Sequence, residues 1–85
     1  MTRVEIYTTP TCFYCRTAKS LLAKKGVNYE ETDVSGEPEL RHRMMSRSGG
    51  RHTVPQIFIN GRHVGGSDEL HALDRAGKLD AMLAA

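Results

Sequence analysis

The residues best suited to chemistry in this 85-residue chain are two cysteines, Cys12 and Cys15, which are separated by Phe13 and Tyr14. Two thiols at this spacing lie one turn apart on a helix, close enough to form a disulfide with each other. One of them, as a thiolate, attacks a disulfide, and the other then resolves the mixed disulfide that results. The spacing therefore predicts thiol–disulfide exchange.

The position of Cys12 indicates which sulfur attacks. Cys12 follows a predicted strand and a loop of threonine and proline, and it stands where the first helix is predicted to begin. Backbone N–H groups without a helical partner and the positive end of the helix dipole meet there, and both stabilise a thiolate. Arg16 and Lys19 add positive charge nearby. We expect Cys12 to be the nucleophile and Cys15 the resolving thiol.

Two other interpretations of the cysteine pair give it no redox role. The cysteines can be small buried apolar residues, or they can be half of a zinc site. Structural zinc takes four Cys or His ligands, and the chain has no third cysteine. The four histidines are scattered, at His42, His52, His63 and His71. We therefore predict redox chemistry and no metal site.

The composition narrows the class of protein. A net charge of +2 is too small for a nucleic-acid-binding surface. No apolar run approaches the roughly 20 residues of a membrane span, and the N-terminus lacks the pattern of a signal peptide. We expect a cytoplasmic protein with neither a nucleic acid nor a membrane as partner. In that reducing compartment, a structural disulfide between the two cysteines is disfavoured.

Apolar periodicity predicts an α/β fold in the order β-α-β-α-β-β-α(-α), in one domain over residues 1–85. The predicted strands are Val4–Tyr7, Val27–Val34, Gln56–Ile59 and Arg62–Val64. The first predicted helix has its apolar pattern from Arg16 onwards and is expected to start near Cys12. The others begin at Pro38, after a cap at Ser67 or Asp68, and at Leu79. The first half forms a right-handed βαβ unit, and Asn60-Gly61 marks a tight hairpin in the second half. These elements predict a mixed four-stranded sheet flanked by helices.

Thr53-Val54-Pro55 directly precedes the third predicted strand and has two interpretations. Pro55 can simply begin the strand, because proline cannot donate a hydrogen bond within a sheet. Alternatively, a cis Val54–Pro55 bond can leave the N–H and C=O groups of Val54 free to pair with an extended peptide.

Gly65-Gly66-Ser67-Asp68 is similarly open. It can be a turn in which Ser67 or Asp68 caps the next helix. It can also be a binding site in which the helix N-terminus holds a carboxylate and Asp68 holds an ammonium group. Together those contacts suit the α-amino-acid end of a γ-glutamyl group.

Taken together, these segments resemble the glutaredoxin family from end to end, and most of all its short bacterial dithiol members of the glutaredoxin 3 type. The matching segments are Val4–Tyr7, Cys12–Cys15, Thr53–Ile59 and Gly65–Leu70. The resemblance implies a thioredoxin fold, with no tightly bound cofactor and with glutathione as the reductant. It further implies that a monomer reduces disulfide-bonded or glutathionylated proteins.

The resemblance also implies a glutathione site. Cys12 and Cys15 match the nucleophile and the second cysteine. Phe13, which directly follows Cys12, is expected to contact glutathione as well, and Tyr14 matches the aromatic residue beside the glutathione sulfur. The other matching positions are Thr53, Val54 and Pro55 for the glutathione cysteine, and Gly66, Ser67 and Asp68 for the γ-glutamyl clamp. Arg41 is a looser match, to a helix position that reaches the glycine carboxylate. Arg47 and Arg51 are alternatives, because the 49–52 stretch is one residue longer than in many members.

Two departures from the family pattern leave alternatives open. Phe13 replaces a common proline that is associated in the family with disfavouring iron–sulfur clusters, so a [2Fe–2S] cluster held by Cys12 of two chains and two glutathiones is a second hypothesis. Thr9 replaces a common lysine, which removes a cation near the thiolate. A third hypothesis is a redoxin reduced by thioredoxin reductase, since the proline motif is shared across thioredoxin folds.

Overall fold

The protein's structure is a computed structural model that describes residues 2–84. The strands are β1 (Val4–Thr8), β2 (Glu30–Asp33), β3 (Gln56–Ile59) and β4 (Arg62–Gly65). The helices are α1 (Phe13–Lys24), α2 (Pro38–Arg47), α3 (Ser67–Arg75) and α4 (Leu79–Ala84). One sheet has the order β2-β1-β3-β4, in which β1 and β2 are parallel and the other pairs antiparallel. The predicted element order and mixed sheet are confirmed. No helix within residues 2–84 is long and apolar enough to cross a bilayer.

The core lies on both faces of the sheet, because side chains of a strand alternate between faces. Ile57 and Ile59 of β3 pack into one cluster, whereas Phe58 between them packs into the other. The buried members of the first cluster are Val4, Ile6, Ala18, Leu21, Leu22, Ile57, Ile59, Leu70 and Leu79. Those of the second are Tyr7, Val34, Met44 and Phe58. Helices cover both clusters, so β3 is buried over its whole length.

The second strand is shorter than the predicted Val27–Val34, and this part of the prediction is wrong. Val27 donates its N–H to the carbonyl of Leu22 at 3.3 Å, so the chain is still leaving α1 at that point. Pairing with β1 begins only at Glu30, opposite Glu5. Val27 still packs against the core without strand pairing.

The structure also shows where two helices begin. The first helix begins at Phe13 with Cys12 as its N-cap, as the position of Cys12 predicts, and so it starts ahead of the apolar pattern that begins at Arg16. The N-cap of α3 is Gly66, not Ser67 or Asp68. The hairpin prediction is confirmed, since Asn60 and Gly61 both have positive φ, 51° and 80°, as a two-residue turn of this hand requires.

Topology brings three separate segments to one end of the sheet. β1 ends there at Thr8, and the chain continues into α1. β3 runs antiparallel to both of its neighbours, so it begins at the same end, at Gln56 opposite Tyr7. β4 ends there as well, at Gly65, and leads into α3. The N-termini of α1 and α3 and the loop before β3 therefore lie close together.

Candidate active site

Cys12 occupies the N-cap of α1, in an extended conformation with φ −105° and ψ 115°. Its Sγ accepts a hydrogen bond from the backbone N–H of Cys15 at 3.1 Å. In the thiol form, the same sulfur donates to the carbonyl oxygen of Val54 at 3.7 Å. The sulfur is partly exposed and lies at the positive end of the helix dipole, so the predicted position of Cys12 at the start of the first helix is confirmed.

Cys15 lies in a different environment from Cys12, although both are free thiols. Its side chain faces the core and is 1% exposed. Burial, followed by the hydrogen bond with Cys12, raises the pKa of the Cys15 thiol to about 12. Cys15 is therefore protonated at neutral pH, and only Cys12 presents its sulfur to solvent.

The side chains of the two cations expected near Cys12 do not contact its sulfur in the described part of the chain. Lys19 forms an ion pair with Glu31 at 2.9 Å, which compensates most of its charge. The side chain of Arg16 is exposed and, within residues 2–84, forms no hydrogen bond or ion pair with Cys12, although the Arg16 backbone N–H donates to the Cys12 carbonyl at 3.2 Å. The Cys15 N–H, in the first turn of α1, is thus the group that donates directly to the sulfur.

A groove of about 320 Å³ lies beside Cys12, between the loop before β3 and the N-terminus of α3. Most of the predicted binding residues meet in it, and Arg51 and Glu69 join them. Its lining consists of Tyr14, Arg51, Thr53, Val54, Pro55, Gly66, Ser67, Asp68 and Glu69. The groove is therefore built from three segments that are far apart in the sequence.

The wall nearest Cys12 is the Thr53-Val54-Pro55 segment, in which the Val54–Pro55 bond is cis. The carbonyl of Val54 faces the Cys12 sulfur, and its N–H has no hydrogen-bond partner in the described part of the chain. Of the two interpretations of Pro55, the geometry matches the one with main-chain groups left open for an extended peptide.

Two residues that the sequence analysis did not single out as site residues hold Thr53 in place. The amide nitrogen of Gln56 donates to the Thr53 carbonyl at 2.9 Å and lies 3.3 Å from its hydroxyl. The amide oxygen of Gln56 then accepts from Nε2 of His63 at 2.6 Å. Gln56 is fully buried, so its amide is satisfied entirely by these contacts. Residue types alone do not reveal this arrangement, because it joins two strands and a loop.

The opposite wall is the first turn of α3. Glu69 accepts a hydrogen bond from the N–H of Gly66 and so caps the helix. A side chain at residue 66 would meet the Pro55 carbonyl at 3.3 Å, so glycine lets the two walls approach. The N–H groups of Ser67 and Asp68 lie in the first turn, where helical partners are lacking.

The hydroxyl of Ser67 points away from the groove. It lies 2.8 Å from the hydroxyl of Thr17, which itself donates to the Tyr14 carbonyl at 2.9 Å. Because Thr17 uses its only proton for Tyr14, Ser67 is the donor in the first of these contacts. Ser67 therefore offers the groove a backbone N–H, whereas the exposed carboxylate of Asp68 reaches it directly.

The three arginines that the sequence analysis offers as partners of the glycine carboxylate lie in different places. Arg41 donates to the carbonyl of His52 at 2.8 Å and does not line the groove. Arg47 forms a two-point ion pair with Glu5, at 2.9 and 3.0 Å, on the α2 face of the sheet. Arg51 is the arginine that lines the groove.

Phe13 and Tyr14 form an exposed aromatic pair next to Cys12. Their rings meet edge to face, with centroids 5.5 Å apart, and their side chains are 62% and 59% exposed. Tyr14 lines the groove, whereas Phe13 does not. An incoming substrate would meet Phe13 outside the groove and Tyr14 at its mouth.

Metal ligands are not assembled within the part of the chain that the structure describes, where no three His, Cys, Asp or Glu side chains converge. A [2Fe–2S] cluster takes four ligands, and here one sulfur is accessible while the other is buried. A cluster would therefore need ligands from outside the chain, as the second hypothesis assumes.

Comparisons with known proteins identify close relatives. The family model described as glutaredoxin matches residues 4–64. The chain is 56% identical to glutaredoxin of Pseudomonas aeruginosa over 85 residues, which is the full length of both chains. It is 53% identical to glutaredoxin 3 of Escherichia coli over 83 residues, covering 98% of this chain and 99% of the relative.

Solved structures agree with these relatives. The solution structure of glutaredoxin from Brucella melitensis is 57% identical with a TM-score of 0.85, and the match covers 98% of this chain and 89% of that chain. A crystal structure of a buckwheat glutaredoxin–glutathione complex is 29% identical with a TM-score of 0.88, covering 98% and 77%. These matches confirm the thioredoxin fold.

Proposed function

The chain belongs to the glutaredoxin family, and on that basis we propose that Cys12 is the nucleophile with which it reduces glutathione mixed disulfides and protein disulfides. Glutaredoxins are glutathione-dependent thiol oxidoreductases, and this chain is one of them. The observation that carries the proposal is the difference between the two thiols. Cys12 is accessible at a helix N-terminus, whereas Cys15 is buried and protonated.

The first step is attack by the Cys12 thiolate on the sulfur of a mixed disulfide between glutathione and a protein. A bond forms between Cys12 and the glutathione sulfur, and the protein leaves as a thiolate that takes up a proton. The Cys15 N–H and the first turn of α1 stabilise the charge on Cys12 before attack. A second glutathione then attacks the adduct, which releases oxidised glutathione and restores Cys12.

Cys15 acts in the second branch, in which the substrate is a protein disulfide. It attacks the mixed disulfide on Cys12, and the resulting disulfide between Cys12 and Cys15 is reduced by two glutathiones. Cys15 must lose its proton in this step, and burial opposes that loss. We infer that the branch through a second glutathione does not need Cys15.

The groove beside Cys12 is the proposed glutathione site. The open main chain of Val54 would pair with the cysteine of the tripeptide. The N–H groups of the first turn of α3 would hold the γ-glutamyl carboxylate, and Asp68 the ammonium group. Arg51 replaces Arg41 as the proposed partner of the glycine carboxylate, because Arg51 lines the groove and Arg41 does not. The buckwheat relative was crystallised as a glutathione complex.

The use of glutathione as the reductant indicates the compartment in which the reaction takes place. Reduction by glutathione requires a compartment with a reduced glutathione pool, such as the cytoplasm. Glutaredoxin potentials of roughly −200 to −230 mV lie within reach of that pool. We propose that the protein works there as a monomer on glutathionylated and disulfide-bonded proteins.

A glutathione-coupled assay on a small glutathione mixed disulfide tests the proposal. We expect Cys12→Ser to lower turnover to the uncatalysed rate, because no accessible thiol remains. The matched variant Cys15→Ser should keep most of the wild-type turnover. Deglutathionylation that survives in Cys12→Ser would overturn the assignment of the nucleophile. Loss of activity in Cys15→Ser would overturn the branch that uses a second glutathione.

A further inference from the structure

Arg51 reaches across the groove from the loop before β3 to the first turn of α3. Its Nη1 lies 3.3 Å from Oε1 of Glu69, and its Nη2 approaches Gly66. Among the lining residues, all within the described part of the chain, Arg51 is the only lysine or arginine. Its side chain is 43% exposed, so a ligand arriving from solvent has access to the guanidinium.

Glu69 is held in place independently of Arg51. Its Oε1 accepts the hydrogen bond from the Gly66 N–H that caps α3. This bond, and secondarily the charge of Arg51, lower the pKa of the Glu69 carboxyl. Glu69 is therefore a fixed negative charge at neutral pH, at the place where Arg51 would meet an anionic ligand.

Glutathione brings two carboxylates and one ammonium group to this groove. If the α3 N-terminus and Asp68 hold the γ-glutamyl end, the glycine carboxylate remains and needs a cation. Arg51 supplies that cation, but its charge is already shared with Glu69. A second carboxylate on the same guanidinium is repelled by the first, so each weakens the binding of the other.

We propose that Glu69 sets the affinity of the groove for glutathione by competing with the glycine carboxylate for Arg51. This inference rests on the proposed function, since it assumes that glutathione occupies the groove. Glu69 is thereby a specificity-determining residue, because its charge weakens the binding of any anion to Arg51. Only ligands that make further contacts in the groove then bind tightly.

The variant Glu69→Gln tests the competition. Glutamine keeps the oxygen that accepts the Gly66 N–H and is nearly the same size, but it has no charge. We expect the apparent KM for glutathione to fall by about two- to fivefold, the range for an exposed ion pair. Loss of a merely structural contact would move KM in the opposite direction. An unchanged or higher KM would overturn the inference.

Two controls locate the effect at Arg51 and the glycine carboxylate. In the Arg51→Gln background, adding Glu69→Gln should leave KM unchanged, because the shared cation is gone. With the glycine ethyl ester of glutathione, which lacks that carboxylate, Glu69→Gln should give no gain. A gain that persists in either control would contradict the competition.

The same assay separates this inference from the function on which it rests. If wild-type turnover depends on glutathione and on Cys12 but Glu69→Gln shows no gain, only the inference fails. If wild type shows no turnover that depends on glutathione, the proposed function fails and the inference fails with it.

Discussion

At the scale of single residues, two cysteines one helical turn apart have opposite environments. The sulfur of Cys12 is a helix cap that accepts an N–H from the backbone. The sulfur of Cys15 lies in the core, where no water stabilises a thiolate. The fold therefore gives one accessible and one buried thiol, and within residues 2–84 no other side chain forms a hydrogen bond with either sulfur.

The raised pKa of Cys15 predicts a dependence of stability on pH. An unfolded chain ionises this thiol near its ordinary pKa of about 8.5, whereas the folded chain keeps the proton up to about 12. The contribution of the buried Cys15 thiol to the free energy of unfolding is therefore complete below about pH 8.5, and it is lost as the pH rises from there towards 12. We expect the free energy of unfolding of the reduced wild type to fall by about 1–2 kcal/mol between pH 8.5 and 10, relative to Cys15→Ser.

Urea unfolding under reducing conditions measures this difference. Serine does not titrate in this range and is close to cysteine in size, so Cys15→Ser is a matched control. Parallel pH profiles for the two proteins would contradict a strongly raised pKa at Cys15.

At the scale of elements, the groove depends on how α1 and α3 are joined. Thr17 of α1 links the Tyr14 carbonyl to the Ser67 hydroxyl of α3, and this contact is partly buried. The contact holds the first turn of α3, and with it the open N–H groups, at a fixed distance from Cys12.

The variant Thr17→Val tests this link, because valine keeps the shape of threonine without the hydroxyl. The Ser67 hydroxyl then loses its contact with Thr17 and keeps only the 3.3 Å contact with Nδ1 of His71, so we expect the free energy of unfolding to fall by about 1 kcal/mol. We also expect KM for glutathione to rise, since the clamp is less well placed. Thr17→Ser keeps the hydroxyl and should retain most of both properties. A valine variant as stable as wild type would show that the link contributes nothing.

The elements also show what the sequence can predict. A continuous run of β-branched and aromatic residues after Gln56 predicts β3, and Asn60-Gly61 predicts its hairpin, because both signals are local. The cap of α3 was mispredicted, since Gly66 has no side chain and the capping group comes from Glu69. The signal was available in the Glu three residues after the N-cap.

At the scale of the whole molecule, the site depends on contacts that no local pattern contains. Which arginine reaches the groove is decided by the path of the 48–53 loop, and Arg47 is instead drawn to Glu5 on the other side of the sheet. The support of Thr53 by Gln56 likewise follows from side-chain positions that only the fold defines. The cysteine spacing thus predicts thiol–disulfide chemistry and the family resemblance implies most of the groove residues, whereas only the fold shows that Arg51, and not Arg41 or Arg47, lines the groove.

The central claim is that one sulfur, Cys12, takes glutathione while the groove beside it holds the tripeptide. The most direct measurement is mass spectrometry of the Cys15→Ser protein after incubation with oxidised glutathione, with the modified peptide mapped. We predict a single glutathione adduct on Cys12 that reduced glutathione removes. A protein that forms no adduct under these conditions, although its Cys12 thiol reacts with a small alkylating agent, would contradict the account.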